Sequence, residues 1–81
     1  MQIWRMPTVL VETGHKSHAS IYGAAREGLF IKPVKIGPRA VGFPSDEVRA
    51  IIAARIAGKT DADIKVLVNR LHAKRAELAS I

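Results

Sequence analysis

The chain has 81 residues, of which 13 are Lys or Arg and seven are Asp or Glu, so its formal net charge at pH 7 is +6. A chain of this length forms one small domain and leaves little room for a deep substrate cleft. Because the sequence contains no cysteine, disulfides and thiolate zinc sites are excluded. The basic charge favours a polyanionic partner, although many small basic proteins bind nothing in particular.

The first predicted elements are two short helices joined by a tight turn. Pro7 suits a first helical position, and the helix over residues 7–13 is predicted to end at Gly14. Ser17 offers a hydroxyl that can cap the next helix, and Ser20 is a second candidate for this cap. Two helices with a glycine-containing turn between them are typical of a helix-turn-helix.

A change of periodicity over residues 31–43 predicts a β-hairpin. Its apolar residues are β-formers, and prolines and glycines punctuate them. We expect strands over residues 32–36 and 40–43, with the turn at Gly37. Pro33 should lie at a strand start or on an edge, because proline cannot donate a hydrogen bond to a sheet.

The third predicted helix has the strongest pattern in the chain. We expect Ser45 to cap it and the acidic Asp46 and Glu47 to lie in its first turn, where the helix dipole favours negative charge. Gly58 should end it. Its predicted buried stripe consists of Val48, Ile51, Ile52 and Ile56.

A fourth helix is predicted from about Thr60 to Ala79. Thr60 and Asp63 resemble a capping box, and Asp61 and Lys65 have the spacing of an ion pair. The apolar stripe of this helix consists of Ile64, Leu67, Val68, Leu71 and Leu78. We therefore expect a domain over residues 1–58, followed by a segment over residues 59–81 that packs on the domain or pairs with a second copy.

Catalysis is poorly supported by the sequence, so we predict that the protein is not an enzyme and needs no cofactor. The acidic residues are scattered, and neither a phosphate loop nor a nucleophile motif is present. His15 and His18 are three residues apart, but no third metal ligand lies near them. His72 on the last helix is expected to be exposed or at a helix interface.

Nucleic-acid binding fits the second helix better, because His18, Tyr22 and Arg26 form one outward row. Arg26 can reach a guanine edge or a phosphate, and small residues beside the row allow close approach to DNA. Three alternatives stay open: a Tyr22 half-buried between helices, an Arg26 paired with a nearby acid, and a Gly23 that serves close helix packing. The predicted DNA-contacting residues of both the helix and the hairpin are Lys16, Ser17, His18, Ser20, Tyr22, Arg26, Lys32, Lys35 and Arg39.

The hairpin carries the three last residues of that set, Lys32, Lys35 and Arg39, with Arg39 directly after the turn. A basic hairpin beside a groove-reading helix can contact the adjacent DNA backbone or minor groove. The alternative is an ordinary solvated hairpin.

Four segments, read together in this order, resemble the AlpA family of prophage regulatory proteins. They are "TGHKSHASIY", "REGLF", "KPVKIGPRAVGF" and "PSDEVRAIIAARI". The resemblance implies a mostly helical α+β fold, a winged helix-turn-helix related to MerR-type DNA-binding domains and to phage excisionases. It covers roughly residues 6–58 and departs from the family pattern at Gly23, where a basic residue is frequent, and at Phe43, where tryptophan is usual.

The resemblance also implies roles for individual residues. The helix over residues 17–27 would be the recognition helix, with Tyr22 contacting the DNA backbone. Lys35 and Arg39 would lie on the wing, with Gly37 at its turn and Pro33 at its start.

The resemblance and the charge together predict a sequence-specific DNA-binding protein that regulates transcription of a prophage or integrated element. It would act in the bacterial cytoplasm, associated with the nucleoid, and as a homodimer or in tandem copies, because one copy makes few base contacts. The first alternative is an excisionase-like architectural factor that directs an integrase. The second, from a different class, is a protein-interaction adaptor whose basic surface is incidental.

Overall fold

The structure is a computed structural model that describes residues 2–79 of the chain. Its elements, in chain order, are β1 (Ile3–Trp4), α1 (Met6–Thr13), α2 (His18–Arg26), β2 (Val34–Gly37), β3 (Ala40–Pro44), α3 (Ser45–Ile56) and α4 (Asp61–Ala79). The predicted fold class is confirmed: the protein is a mostly helical α+β domain with a winged-helix-like order of elements. The predicted segment over residues 59–81 includes residues 80 and 81, which lie outside the described part of the chain.

The three strands form one small antiparallel sheet in the order β1-β3-β2. The predicted hairpin is present, but β2 begins at Val34, directly after Pro33, and the pairing between Lys35 and Gly37 contains an irregularity. Strand β1 was not predicted. A strand of two residues is too short to show a period, and only its pairing with β3, Trp4 opposite Phe43, defines it.

Ser45 does not cap α3, so this prediction was wrong. The residue before the helix is Pro44, and no side chain caps the helix start. Ser45 is fully buried, and its hydroxyl accepts a hydrogen bond from the backbone N–H of Gln2 at 2.9 Å. Its own N–H donates to the Gln2 carbonyl at 2.7 Å, so the serine joins α3 to the start of β1.

The core lies where α1, α2, β3, α3 and α4 converge. Phe30 and Phe43 are its largest buried side chains, with ring centroids 5.8 Å apart. Its buried members are Met6, Val9, Ile21, Phe30, Ile31, Phe43, Val48, Ile51, Ile64 and Val68. Ile56 was wrongly predicted to be buried and is 82% exposed, because it ends α3 at the turn into α4, beyond the core.

Helix α4 begins with the predicted capping box. Thr60 N–H donates to Asp63 Oδ2 at 3.3 Å, and Asp63 N–H donates to Thr60 Oγ1 at 3.2 Å. The predicted pair of Asp61 with Lys65 is wrong, because the carboxylate of Asp61 lies 2.9 Å from Arg55 across the turn between α3 and α4.

The apolar stripe of α4 packs on the rest of the chain. Ile64 and Val68 are buried in the core, with Leu67 and Leu71 packed partly against it. Leu78, predicted in the same stripe, is 54% exposed. It lies in the last turn of α4, past the point where the helix faces the core.

Candidate nucleic-acid interface

The turn between α1 and α2 is short and closed by local hydrogen bonds. Gly14 has the left-handed backbone conformation, with φ at 79°, and its N–H donates to the Leu10 carbonyl at 2.9 Å. Thr13 Oγ1 donates to the Val9 carbonyl at 2.7 Å. A residue with a side chain would be strained at Gly14, so glycine is what allows α2 to turn away from α1 here.

The start of α2 is held by two serines and a histidine. Ser17 Oγ accepts from the N–H of Ser20 at 3.2 Å, which confirms Ser17 as the cap. Ser20 Oγ lies 2.6 Å from Nδ1 of His15, whose ring packs beside Phe30 at 6.2 Å between centroids. His15 therefore holds the helix start, and residues 2–79 contain no group of three or more residues suited to a metal ion.

The outward row of α2 is accessible to a ligand. His18, Tyr22 and Arg26 are all exposed, Tyr22 to 38%. Arg26 makes no ion pair with any residue in the described part of the chain. Beside the row, Gly23 leaves open space, because a Cβ there would meet only Arg26, at 4.0 Å.

An open groove joins α2 to the segment that enters β2. It has a volume of about 550 Å³ and is lined by Tyr22, Ala25, Arg26, Lys32 and Pro33. Two of the predicted helix residues and one predicted hairpin residue therefore line one concave surface. A hydroxyl and two cations around such a groove can hold a phosphate group.

The hairpin carries two further exposed cations. Lys35 is exposed and lies opposite Val41 in the β2–β3 pairing. Arg39 is exposed in the two-residue turn that follows Gly37. Lys16, Ser17 and Ser20 are exposed as well, so the full predicted set of nine residues is open to solvent.

Among the described residues, the cations of α2 and of the hairpin form no ion pair. In the described residues, three ion pairs are formed, Asp46–Arg49, Asp61–Arg55 and Glu47–Arg75, and all three lie on α3 and α4. The exposed cations of α2 and the hairpin are therefore available to attract an anionic ligand.

The base of the hairpin is held by α4, a contact that sequence analysis missed. The N–H of Lys32 donates to Nε2 of His72 at 3.1 Å, and the carbonyl of Lys32 accepts from Arg75 at 2.8 Å. Arg75 also donates to both carboxylate oxygens of Glu47, from Nε to Oε2 at 2.9 Å and from Nη2 to Oε1 at 2.5 Å. No local pattern in the sequence joins residues 40 positions apart.

The ionisation of His72 is altered by this site. Burial lowers the pKa of its imidazole from the ordinary 6.5, and the neighbouring cations Arg75 and Lys32 lower it further, against the opposing charge of Glu47. The neutral ring is the form that can accept the hydrogen bond from Lys32 at Nε2, so burial favours the form that holds the hairpin.

These features define a small basic protein with a winged-helix-like fold and an exposed cationic helix and hairpin. The chain belongs to the family described as Prophage CP4-57 regulatory protein (AlpA), whose sequence model matches residues 2–56. The match confirms the family membership that the sequence resemblance indicated, in a family of prophage regulatory proteins. The match ends with α3 and does not include α4.

Comparisons with curated proteins and with solved structures gave no match. None of the helices within residues 2–79 has the length and apolar character needed to span a membrane.

Proposed function

We propose that the protein binds double-stranded DNA sequence-specifically and regulates transcription of a prophage or integrated element in the bacterial cytoplasm. The observation that carries this proposal is the groove lined by Arg26 of α2 and Lys32 of the hairpin segment, neither of which forms an ion pair among residues 2–79. Membership of a prophage regulatory family supports it.

Helix α2 would lie in the major groove, with its first turns toward the base edges. The exposed side chains of His18 and Arg26 can donate hydrogen bonds to bases, and the hydroxyl of Tyr22 can donate to a phosphate. Ala19 and Gly23 are small enough to let the helix backbone approach the groove closely.

The hairpin would grip the flanking backbone with Lys32, Lys35 and Arg39. Contacts to phosphate fix the position of a protein on the duplex and contribute affinity without reading sequence. Because a single small module makes few base contacts, useful specificity would require adjacent sites occupied by two copies.

A salt titration of duplex binding tests the proposal. The logarithm of the association constant should fall linearly with the logarithm of salt concentration, by about 0.9 for each phosphate contact. Arg39→Ala should weaken binding to all duplexes about equally and reduce this slope by about 0.9. The matched control is Lys59→Ala, which removes an exposed cation from the turn between α3 and α4 and should leave the slope unchanged. Absence of duplex binding at low salt would overturn the proposal and favour the adaptor alternative.

Base reading by Arg26 needs a separate experiment. Selection of binding sites from random duplexes gives the preferred site, and single base-pair substitutions in it are then measured with wild type and with Arg26→Ala. A bidentate arginine contact discriminates by about 1–3 kcal/mol, so the variant should lose discrimination at one base pair. An equal loss at every base pair would show that Arg26 contacts only backbone.

A measurement of DNA bending in the same complexes separates a regulator from an excisionase-like architectural factor.

A further inference from the structure

The segment between α2 and β2 has no regular secondary structure, so other elements must fix its path. It contains Phe30 and Ile31, which are buried in the same core as Ile64 and Val68 of α4. At its beginning, a Cβ on Gly28 would lie 3.6 Å from the side chain of Lys65, also on α4. Helix α4 therefore runs along this segment and contacts it at both ends.

The last residue before Pro33 is held most specifically. Both backbone groups of Lys32 are bonded to α4 side chains, the N–H to His72 and the carbonyl to Arg75. Arg75 is fixed in turn by the buried carboxylate of Glu47 on α3. The hairpin starts two residues later, so its base is positioned by two α4 side chains and by one α3 carboxylate acting through Arg75.

We propose that α4 sets the position of the hairpin relative to α2, with His72 and Arg75 as positioning residues for DNA binding. The DNA part of this inference rests on the proposed function. Neither residue needs to touch DNA. They hold the backbone of Lys32, whose side chain lines the groove with Arg26, and hence the direction in which Lys35 and Arg39 leave the body of the protein. Both lie outside residues 2–56, which the family model matches.

The test compares His72→Leu, which removes the acceptor for Lys32 N–H, with His72→Gln, which keeps an acceptor oxygen at a similar reach. Circular dichroism near neutral pH first checks that both variants are folded. The affinity for one duplex and its dependence on salt concentration are then measured at the same pH. His72→Leu should weaken binding by up to about tenfold, the upper worth of one hydrogen bond. His72→Gln should restore most of the loss.

A double-mutant cycle separates positioning from a general structural effect. If His72 acts through the hairpin, His72→Leu should cost almost nothing in a protein that already carries Lys32→Ala, Lys35→Ala and Arg39→Ala. An additive loss in that background, or equal binding by His72→Leu and wild type, would overturn the DNA part of the inference.

Amide NMR spectra of the free protein test, without DNA, whether His72 positions the hairpin. His72→Leu should shift the hairpin amides and speed hydrogen exchange at Lys32, whereas His72→Gln should resemble wild type. Unchanged amides in His72→Leu would refute the positioning. If wild type binds no duplex but the amides shift as expected, the proposed DNA binding is wrong, and so is the role of His72 in it. The inference that α4 positions the hairpin would still hold.

Discussion

Replacing Arg75 with alanine should strongly destabilise the protein. Arg75 forms three contacts shorter than 3 Å, two with the carboxylate of Glu47 and one with the carbonyl of Lys32. The side chain of Glu47 is only 9% exposed and that of Arg75 is 24% exposed. The alanine variant would therefore leave the nearly buried carboxylate of Glu47 without its partner.

The magnitude follows from that burial. Breaking a buried ion pair by removing one partner costs about 3–5 kcal/mol, and the partial exposure of Arg75 favours the lower end, about 3 kcal/mol. In a domain of this size each kcal/mol lowers the melting temperature by about 4–8 °C, so a loss of at least about 12 °C is expected. This is a large part of the total stability of a small domain, about 5–15 kcal/mol.

Urea and thermal unfolding followed by circular dichroism measure the effect. Arg70→Ala is the matched control, because Arg70 is also on α4, is exposed and has no ion-pair partner among residues 2–79. It should change the free energy of unfolding by no more than about 0.5 kcal/mol. The double variant Glu47→Met with Arg75→Met should be more stable than Arg75→Ala, because no charge is left buried alone. A loss below about 1 kcal/mol in Arg75→Ala would refute this account of the pair.

Three further predictions concern the core, the histidine and the sheet. Ile64→Ala should lower the free energy of unfolding by about 2–5 kcal/mol, because Ile64 is fully buried, whereas Ile56→Ala, at an 82% exposed position, should change it by less than about 0.5 kcal/mol in the same urea titration. Burial lowers the pKa of His72 below 6.5. Between this lowered pKa and pH 6.5, the unfolded chain therefore binds more protons than the folded protein. The contribution of His72 to stability should be complete above pH 6.5 and be lost as pH falls through the lowered pKa, and His72→Gln should flatten this part of the pH profile. Gly42→Ala should cost about 1–3 kcal/mol because its Cβ would overlap strand β1, while Gly37→Ala makes only an ordinary contact at 3.7 Å and serves as the control.

The helix boundaries could be predicted because their signals are local. The left-handed Gly14, the Ser17 cap and the Thr60–Asp63 box each act within three or four residues, and each lies where its sequence context predicts. Short-range hydrogen bonds of this kind depend on residue type and spacing alone.

The contacts that were not predicted join distant parts of the chain. Gln2 and Ser45 are 43 residues apart, and Glu47 and Arg75 are 28 apart. In the sequence, Ser45 and Glu47 have the residue types of a helix start, which hides their roles as a buried strand anchor and an ion-pair partner. Local propensity predicts a helix start whether or not these residues also make long-range contacts. Only tertiary packing shows the long-range contacts.

The candidate interface shows the same division. The residue types and the outward row of α2 were readable from the sequence, and all nine predicted residues are exposed. The sequence could not show that Arg26 and Lys32 line one groove, because Lys32 is held by hydrogen bonds to His72 and Arg75, 40 or more positions away. Their role in DNA binding stays a prediction.

The packing of α4 also bears on how two copies could act together. Its most regular apolar positions, Ile64 and Val68, are already buried against the chain's own core. Among the described side chains of α4, the large apolar ones that are exposed are Val66 and Leu78, which are 12 positions apart and about 120° apart around the helix axis. Two helices that pair need a continuous apolar stripe on each, and these two residues do not form one. We therefore expect two copies to meet through other surfaces or through adjacent DNA sites, rather than along α4.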